Sequence, residues 1–473
     1  MSAALKSRLA KIARITAKIA GVFIAFGLLL CLAWAVINSF DVPLSDQAKA
    51  LLTVPPNPFP SDQNIYLAMA GMEGAGERTI IEMGQERIEA YNQALDPTRI
   101  NPDAILVLNK KWDAAKLKVD GKVEELGHSR TSSIWTTTKT HRQAIAALLA
   151  SNLRLYRRYL SLHSLHGYYE TAHPSFTSPM ITPPQSLRTL FLADVANRIQ
   201  TGTPQQQRDA LNDLQQDLQL WRTVLKGDGT LISKMLSVAF LHTDMILLAD
   251  LITDSTTDLR SLEDLLDPIV SPFDPKDYRI GNAFAAEFRT TTAVYKTITS
   301  PNEVIGSMAS SSRWNRMWNA FQAHFFKLNA TENMGAEVAA RWVVLGDSDP
   351  NEFQQHRQAY REWLEKQGPH LSPDYIYNPI GRTLVSLAGA QYDNYPLRAF
   401  DVAAYQRLVY LVFQLKRQHI ATADVYVFMK AHPEWSTHPV DGKLFGWNPE
   451  TAELTVNTLG EDTRGRRFSV TLR

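Results

Sequence analysis

Ile19 to Ile37 read IAGVFIAFGLLLCLAWAVI, nineteen residues without a charge. As a helix this stretch rises roughly 28 Å, close to the roughly 30 Å hydrocarbon thickness of a bilayer. Lys6, Arg8, Lys11, Arg14 and Lys18 precede it, and the first acids, Asp41 and Asp46, come after it. That asymmetry predicts an amino terminus in the cytoplasm and the bulk of the chain across the membrane. Ala33-Trp34-Ala35 offers a competing reading, a signal peptide cleaved after Ala35. The apolar run continues past that site and is long for a signal core, so a retained single-pass anchor is expected. A lipoprotein signal is not expected, because Leu28-Leu29-Leu30-Cys31 lacks the small residue that should precede the cysteine.

The five cations give the first eighteen residues +5, which against a total of +1 leaves −4 for the rest of the chain. A mildly acidic body excludes broad nucleic-acid binding, which demands basic clusters. Apolar residues at 45% and charged residues at 21% are those of a globular protein, with ten Trp, sixteen Tyr and nineteen Phe to build its core. The lone cysteine, Cys31, lies in the apolar stretch. The body therefore has neither a disulfide nor a thiolate metal ligand.

After the anchor, residues 38–63 carry Pro43, Pro55, Pro56, Pro58 and Pro60, a composition that predicts an extended spacer. From 64 to 432 the pattern is helical. Thr203 suits an N-cap and Pro204 the first helical position. Leu211, Leu214, Leu218, Trp221 and Leu225 then recur at helical steps. Lys226-Gly227-Asp228-Gly229 breaks the run, and Val238, Leu241, Met245, Leu248 and Ile252 resume it. Two such stripes joined by a short turn predict an antiparallel helical hairpin. Further helices are expected over 64–95, 136–169, 186–200, 278–297, 301–328, 331–346, 350–367 and 401–432. In the tail, 433–473, Leu454, Val456 and Thr458 alternate with polar neighbours, as do Phe468, Val470 and Leu472. Around a Gly-containing connection this predicts a β-hairpin lying on the helical body or extended by a strand near Leu444 to Trp447. The fold class expected is mainly α, with an N-terminal transmembrane helix, a multi-helix body and a small β tail.

Candidate chemistry is sparse. On a helix His163, His166 and Glu170 would fall at i, i+3 and i+7, with His173 just beyond. Imidazole and carboxylate ligate zinc or iron, but residues seven apart lie about 10 Å apart along a helix axis, so a polar helix face is the expectation. Gly71-Met72-Glu73-Gly74-Ala75-Gly76 lacks the lysine of a phosphate loop and carries acids instead, so it is expected to interrupt a helix. Trp314, Trp318, Phe321 and Phe325 form a helical stripe that is expected to be core. No nucleophile motif is present. No catalytic, cofactor-binding or metal-ligating residue is assigned.

Two segments carry resemblances. Asn64-Ile65-Tyr66-Leu67-Ala68-Met69-Ala70-Gly71 comes directly after the spacer, and Tyr377-Asn378-Pro379-Ile380-Gly381-Arg382 precedes Tyr392, Tyr395, Arg398, Asp401 and Arg407-Leu408. With the single span, these resemble a group of single-pass, periplasm-facing helical proteins of Gram-negative bacteria whose activity is uncharacterised. Arg398 and Asp401 have the spacing of an ion pair on a helix face. Asp441-Gly442-Lys443-Leu444-Phe445-Gly446-Trp447-Asn448-Pro449, with Thr458-Leu459-Gly460-Glu461-Asp462, looks like the carboxy-terminal end of type II secretion pseudopilins. The amino terminus departs from the prepilin pattern, so this second likeness implies a shared β-turn design. Together the features imply a scaffold or binding protein tethered in the bacterial inner membrane, facing the periplasm, non-catalytic and without cofactors. Its expected partners are the membrane, through 19–37, and envelope proteins. The alternatives are an envelope-polymer hydrolase, which requires a deep cleft with convergent carboxylates or the histidine cluster, and an accessory to secretion or pilus assembly.

Overall fold

The computed structural model describes residues 3–95, 102–127, 133–175, 177–299, 324–366, 373–389, 392–460 and 467–472. Its helices run in the order α1 (Ala3–Ile37), α2 (Asp46–Leu52), α3 (Ile65–Gly71), α4 (Ile80–Ala94), α5 (Pro102–Ala115), α6 (Ile134–Ser151), α7 (Leu153–Ser161), α8 (Gln185–Thr201) and α9 (Pro204–Lys226). They continue with α10 (Leu231–Thr253), α11 (Glu263–Val270), α12 (Gly281–Thr299), α13 (Leu328–Asp347), α14 (Phe353–Lys366), α15 (Pro379–Gly389), α16 (Tyr395–Arg417), α17 (Val425–Ala431) and α18 (Pro433–Ser436). Three strands complete the chain, β1 (Gly446–Asn448), β2 (Glu453–Asn457) and β3 (Arg467–Thr471). The chain forms two compact units. The first comprises Met1–Leu51, Val294–Val338 and Leu364–Ala390, the second Leu52–Ala293, Ala339–Trp363 and Gln391–Arg473.

In the first unit, Arg14–Ile37 of α1 is long and apolar enough to cross a membrane, and none of its most apolar window is buried by protein. The segment directly after α1 is held at several points. Asp41 accepts hydrogen bonds from the amides of Asn329 (2.8 Å) and Ala330 (3.1 Å), satisfying the open first turn of α13. Ser45 N–H donates to Asn333 Oδ1 at 2.7 Å, and Asn333 Nδ2 donates to the Pro43 carbonyl at 3.0 Å. Within the proline-containing stretch the chain also forms the short helix α2, with Ala48 fully buried.

The second unit is built on helices buried almost all round. In α8, Leu187 through Ala196 are all buried except Thr189, and α16 is buried along most of its length. Helices without a polar face belong at the centre of a bundle. The expected hairpin is present: Thr203 caps α9 in a reciprocal capping box with Gln206, and α9 and α10 pack together. Leu211, Leu214, Leu218, Trp221 and Leu225 are each at most 3% exposed, and a side chain of this size contributes about 1.5–3 kcal/mol when buried. Although α10 is also apolar enough to cross a membrane, 61% of its most apolar window is buried in the protein, so it is a core helix.

Helices α3 and α4 touch backbone to backbone. A Cβ on Gly84 would lie 1.8 Å from the Leu67 carbonyl oxygen, and one on Gly71 would lie 1.9 Å from that of Ile80. The glycine-rich stretch beginning at Gly71 thus interrupts the helix expected over 64–95, and its first glycine also sets the α3–α4 spacing. The sheet has the order β1-β2-β3, antiparallel, pairing Leu454 with Val470 and Val456 with Phe468. These side chains face the helices, with Phe468 4.8 Å from the Tyr405 ring on α16 and 4.3 Å from that of His242 on α10. The tail is a hairpin extended by a third strand.

Two helix expectations need correction. The helix predicted over 136–169 ends at Ser161 and is interrupted earlier, at His141 (φ −116°, ψ 21°) and at Asn152. The helix predicted over 401–432 divides after Arg417, where His419 turns left-handed (φ 52°) and the chain restarts as α17. Of the aromatic stripe, Trp314, Trp318 and Phe321 lie outside the described residues. Phe325 is buried, its ring 4.2 Å from that of Trp34.

Candidate functional site

Beyond α7 the chain passes as extended backbone between two distant segments of the second unit. Gly167 pairs with Asn64 and Tyr169 with Asp228, both parallel. Ile65 N–H donates to the Gly167 carbonyl at 2.8 Å, and Glu170 N–H donates to the Asp228 carbonyl at 2.9 Å. Asn64, fully buried, locks the crossing. Its Oδ1 accepts from Tyr66 N (3.1 Å), capping α3, and from Tyr169 N (3.2 Å), while Nδ2 donates to the Tyr169 carbonyl (2.9 Å). The turn between α9 and α10 must let this strand pass closely. A Cβ on Gly229 would sit 2.6 Å from Glu170 Oε1.

The crossing delivers Glu170 to the start of α10, whose first amides have no partner inside the helix and form its positive end. Glu170 Oε1 accepts from Thr230 N (3.1 Å), Thr230 Oγ1 (3.2 Å), Tyr168 Oη (2.9 Å) and Ser233 Oγ. The next amide, Leu231 N, donates to Oε1 of Glu287 on α12 at 3.0 Å. Two carboxylates therefore share one helix end. Consecutive peptide nitrogens are at most about 3.8 Å apart, so the two accepting oxygens lie within about 10 Å of each other. Neither second carboxylate oxygen makes a hydrogen bond among the described residues. Burial pushes the Glu287 carboxyl above its ordinary range; the Leu231 bond opposes the rise and the charge of Glu170 adds to it. One turn into α10, Lys234 is fully buried and donates to the carbonyls of Val224 (3.2 Å) and Gly227. Burial pushes its ammonium down to about 8, although Glu170 and Asp228 both favour the charge.

Glu170 and Glu287 border a cavity of about 240 Å³, lined also by Tyr66, Asp228 and Arg289 with an apolar wall that includes Ile181 and Ile232. Arg289 stands 3.8 Å from Asp228. Tyr66 is only 2% exposed, and its hydroxyl makes no hydrogen bond among the described residues. Of these residues, sequence reading singled out Glu170 as a candidate. Tyr66 and Asp228 were quoted only as parts of a motif and a turn, and Glu287 and Arg289 were missed. The paired glycines flanking Asp228 and the cap position of Thr230 were local signals of a crowded helix start; nothing local marks Glu287.

His163, His166, Glu170 and His173 do not share a helix face, because the helix stops before them. His166 and His173 are exposed. The His163 side chain is 3% exposed and its Nε2 lies 3.3 Å from Asp217 Oδ1. Tyr159 Oη also donates to that oxygen (2.6 Å), while Arg188 donates to Asp217 Oδ2 (3.2 Å), to the Phe240 carbonyl (2.9 Å) and to Asp244. Burial alone would raise both aspartates. Arg188 and His163 outweigh it at Asp217, which is held below its ordinary range, whereas Asp244 is driven well above its own despite Arg188. Arg188 thus joins two buried acids whose carboxyls are shifted in opposite directions. Among the described residues no group of three or more His, Cys, Asp or Glu is placed to hold a metal.

The other motif residues are structural. Asp401, 3% exposed, accepts from the amides of Leu459 (2.8 Å) and Gly460 (3.1 Å) and lies 3.3 Å from His438 Nε2, fastening the tail to α16. Arg398 lies over the Tyr395 ring at 4.5 Å. The stretch from Tyr377 to Arg382 belongs to the first unit, where it grips the end of α1. Trp34 Nε1 and Asn38 Nδ2 both donate to the Ile376 carbonyl at 2.8 Å, and Asn378 N–H donates to Asn38 Oδ1 at 2.8 Å. Asn378 is fully buried in the left-handed conformation (φ 52°). Its Oδ1 accepts from Lys327 N (2.8 Å) and Gly381 N (3.2 Å), and its Nδ2 donates to Thr331 Oγ1 (2.9 Å).

No protein family, curated protein or solved structure matches the chain.

Proposed function

We propose that the chain is a membrane-anchored, periplasm-facing binding protein, its amino terminus in the cytoplasm and a small-molecule site at the start of α10. The cavity lined by Tyr66, Glu170 and Glu287 carries the binding half of this reading. At about 240 Å³ it is sized for a small molecule, below the several hundred Å³ of drug-sized sites and too small for a polymer chain, which favours binding over hydrolysis of an envelope polymer. The anchoring half is supported by α1 and by the hydrogen bonds that Trp34 and Asn38 make to Ile376 and Asn378. Cleavage after Ala35 would remove Trp34 from that contact.

Membrane fractionation tests the anchor. The full-length chain should remain with the membrane through alkaline carbonate washing at its uncleaved mass, and a phosphatase fused to its carboxy terminus should be active. A shortened, released chain overturns the retained anchor, and a phosphatase active only when placed at the amino terminus overturns the orientation.

A further inference from the structure

We infer that the cavity at the start of α10 binds a small organic cation, with an alkylammonium group seated between Glu170 and Glu287 and its hydrocarbon against Ile181 and Ile232. This rests on the binding reading above and adds the class of ligand.

The charges lining the cavity are Glu170, Asp228 and Glu287 against Arg289. Arg289 lies 3.8 Å from Asp228, so those two offset each other and the two glutamates remain. Each has one oxygen fastened to a helix amide and a second with no partner among the described residues. The hydroxyl of Tyr66 is in the same state, on a side chain only 2% exposed. An alkylammonium carries three N–H donors and no acceptor, and Glu170 Oε2, Glu287 Oε2 and Tyr66 Oη are three open acceptors bordering one cavity. A cation beside the Tyr66 and Tyr169 rings gains further electrostatic attraction. An anion meets only repulsion from the glutamates, and an alcohol supplies one donor for three acceptors. A hydrated metal ion has no use for the apolar wall. Burial, and after it the charge of Glu170, raises the Glu287 carboxyl, and a bound cation would relieve both.

The test is calorimetry on the full-length protein in neutral detergent at pH 7.5, with n-butylammonium, n-butanol, butyrate and magnesium as probes. The amine is expected to bind saturably and at least about tenfold more tightly than the others, the discrimination expected of charge-assisted hydrogen bonds. Glu170→Gln and Glu287→Gln keep an oxygen for the helix amides and should each weaken the amine at least about tenfold. Ile232→Lys leaves both carboxylates in place and should abolish amine binding by supplying a tethered ammonium. Equal binding of butanol, tighter binding of magnesium, or amine binding that survives both glutamine variants overturns the inference. If butanol or butyrate saturates the site and the amine does not, a binding site remains but not for a cation. If no probe binds, the binding reading falls too, while the anchor is judged separately by fractionation.

Discussion

Replacing Lys234 by methionine should change how the stability of the protein depends on pH more than it changes stability at any one pH. The ammonium is fully buried at the start of α10, and its pKa falls from an ordinary 10.5 to about 8. Between those values the unfolded chain holds a proton that the folded chain has released. Folding stability therefore rises with pH through this window: the penalty is complete below about pH 8 and gone above about 10.5. At 1.36 kcal/mol per pH unit, the span is worth about 3 kcal/mol. Methionine has similar length and nothing to titrate. Lys234→Met also removes the bonds to Val224 and Gly227, but that loss is nearly constant with pH. The difference between the two proteins should therefore move by about 3 kcal/mol in favour of the wild type between pH 7.5 and 10.5. Denaturant unfolding of the full chain in detergent, monitored by tryptophan fluorescence, measures it, and tyrosines that titrate in the same range cancel in the difference. Parallel pH profiles would refute the reasoning and mean that the ammonium is not desolvated.

Three further substitutions test the core and the clamp. Asp217→Asn removes the carboxylate that Tyr159, His163 and Arg188 all contact and should cost about 3–5 kcal/mol, whereas Asp244→Asn replaces a carboxyl that burial already drives up and should cost less; equal losses in the same unfolding assay would contradict the assignment. Gly84→Ala places a methyl 1.8 Å from the Leu67 carbonyl, so α3 and α4 must part; early proteolysis between Ile65 and Ala94 is the expected readout, and wild-type resistance would contradict it. Asn378→Ala loses three side-chain hydrogen bonds at about 1 kcal/mol each and also strains a left-handed residue by about 1–2 kcal/mol. Asn378→Gly loses the bonds alone and should melt higher than the alanine variant, a ranking that differential scanning fluorimetry reads directly.

Much of the architecture was legible because its signals are local. The nineteen apolar residues to Ile37, the Thr203-Pro204 start of α9 and the stripe from Leu211 to Leu225 each declare a helix within one or two turns. The alternation of Leu454 and Val456 does the same for a strand. The site was not legible, since its bonds join residues far apart in the chain: Glu170 to Thr230, Leu231 to Glu287, Asn64 to Tyr169. The helix face expected to carry His163, His166 and Glu170 failed for the same reason. Nothing near Ser161 is a strong helix breaker, yet pairing of Gly167 and Tyr169 with Asn64 and Asp228 draws the backbone out straight. His163 turns inward because its partner, Asp217, arrives from α9. The stretch from Tyr377 to Arg382 was recognisable as a pattern, but its purpose depends on Trp34 and Asn38, over three hundred residues earlier.

With α1 anchored as proposed, the grip of Ile376 and Asn378 on Trp34 and Asn38 would bear on how the protein meets bilayers of different thickness. A helix on a loose tether absorbs hydrophobic mismatch by swivelling and leaning freely. Here the last turn is keyed to a buried asparagine, so azimuth and depth at that end are set by protein chemistry, and any adjustment to a thinner or thicker lipid layer falls to the opposite, lysine- and arginine-bearing end.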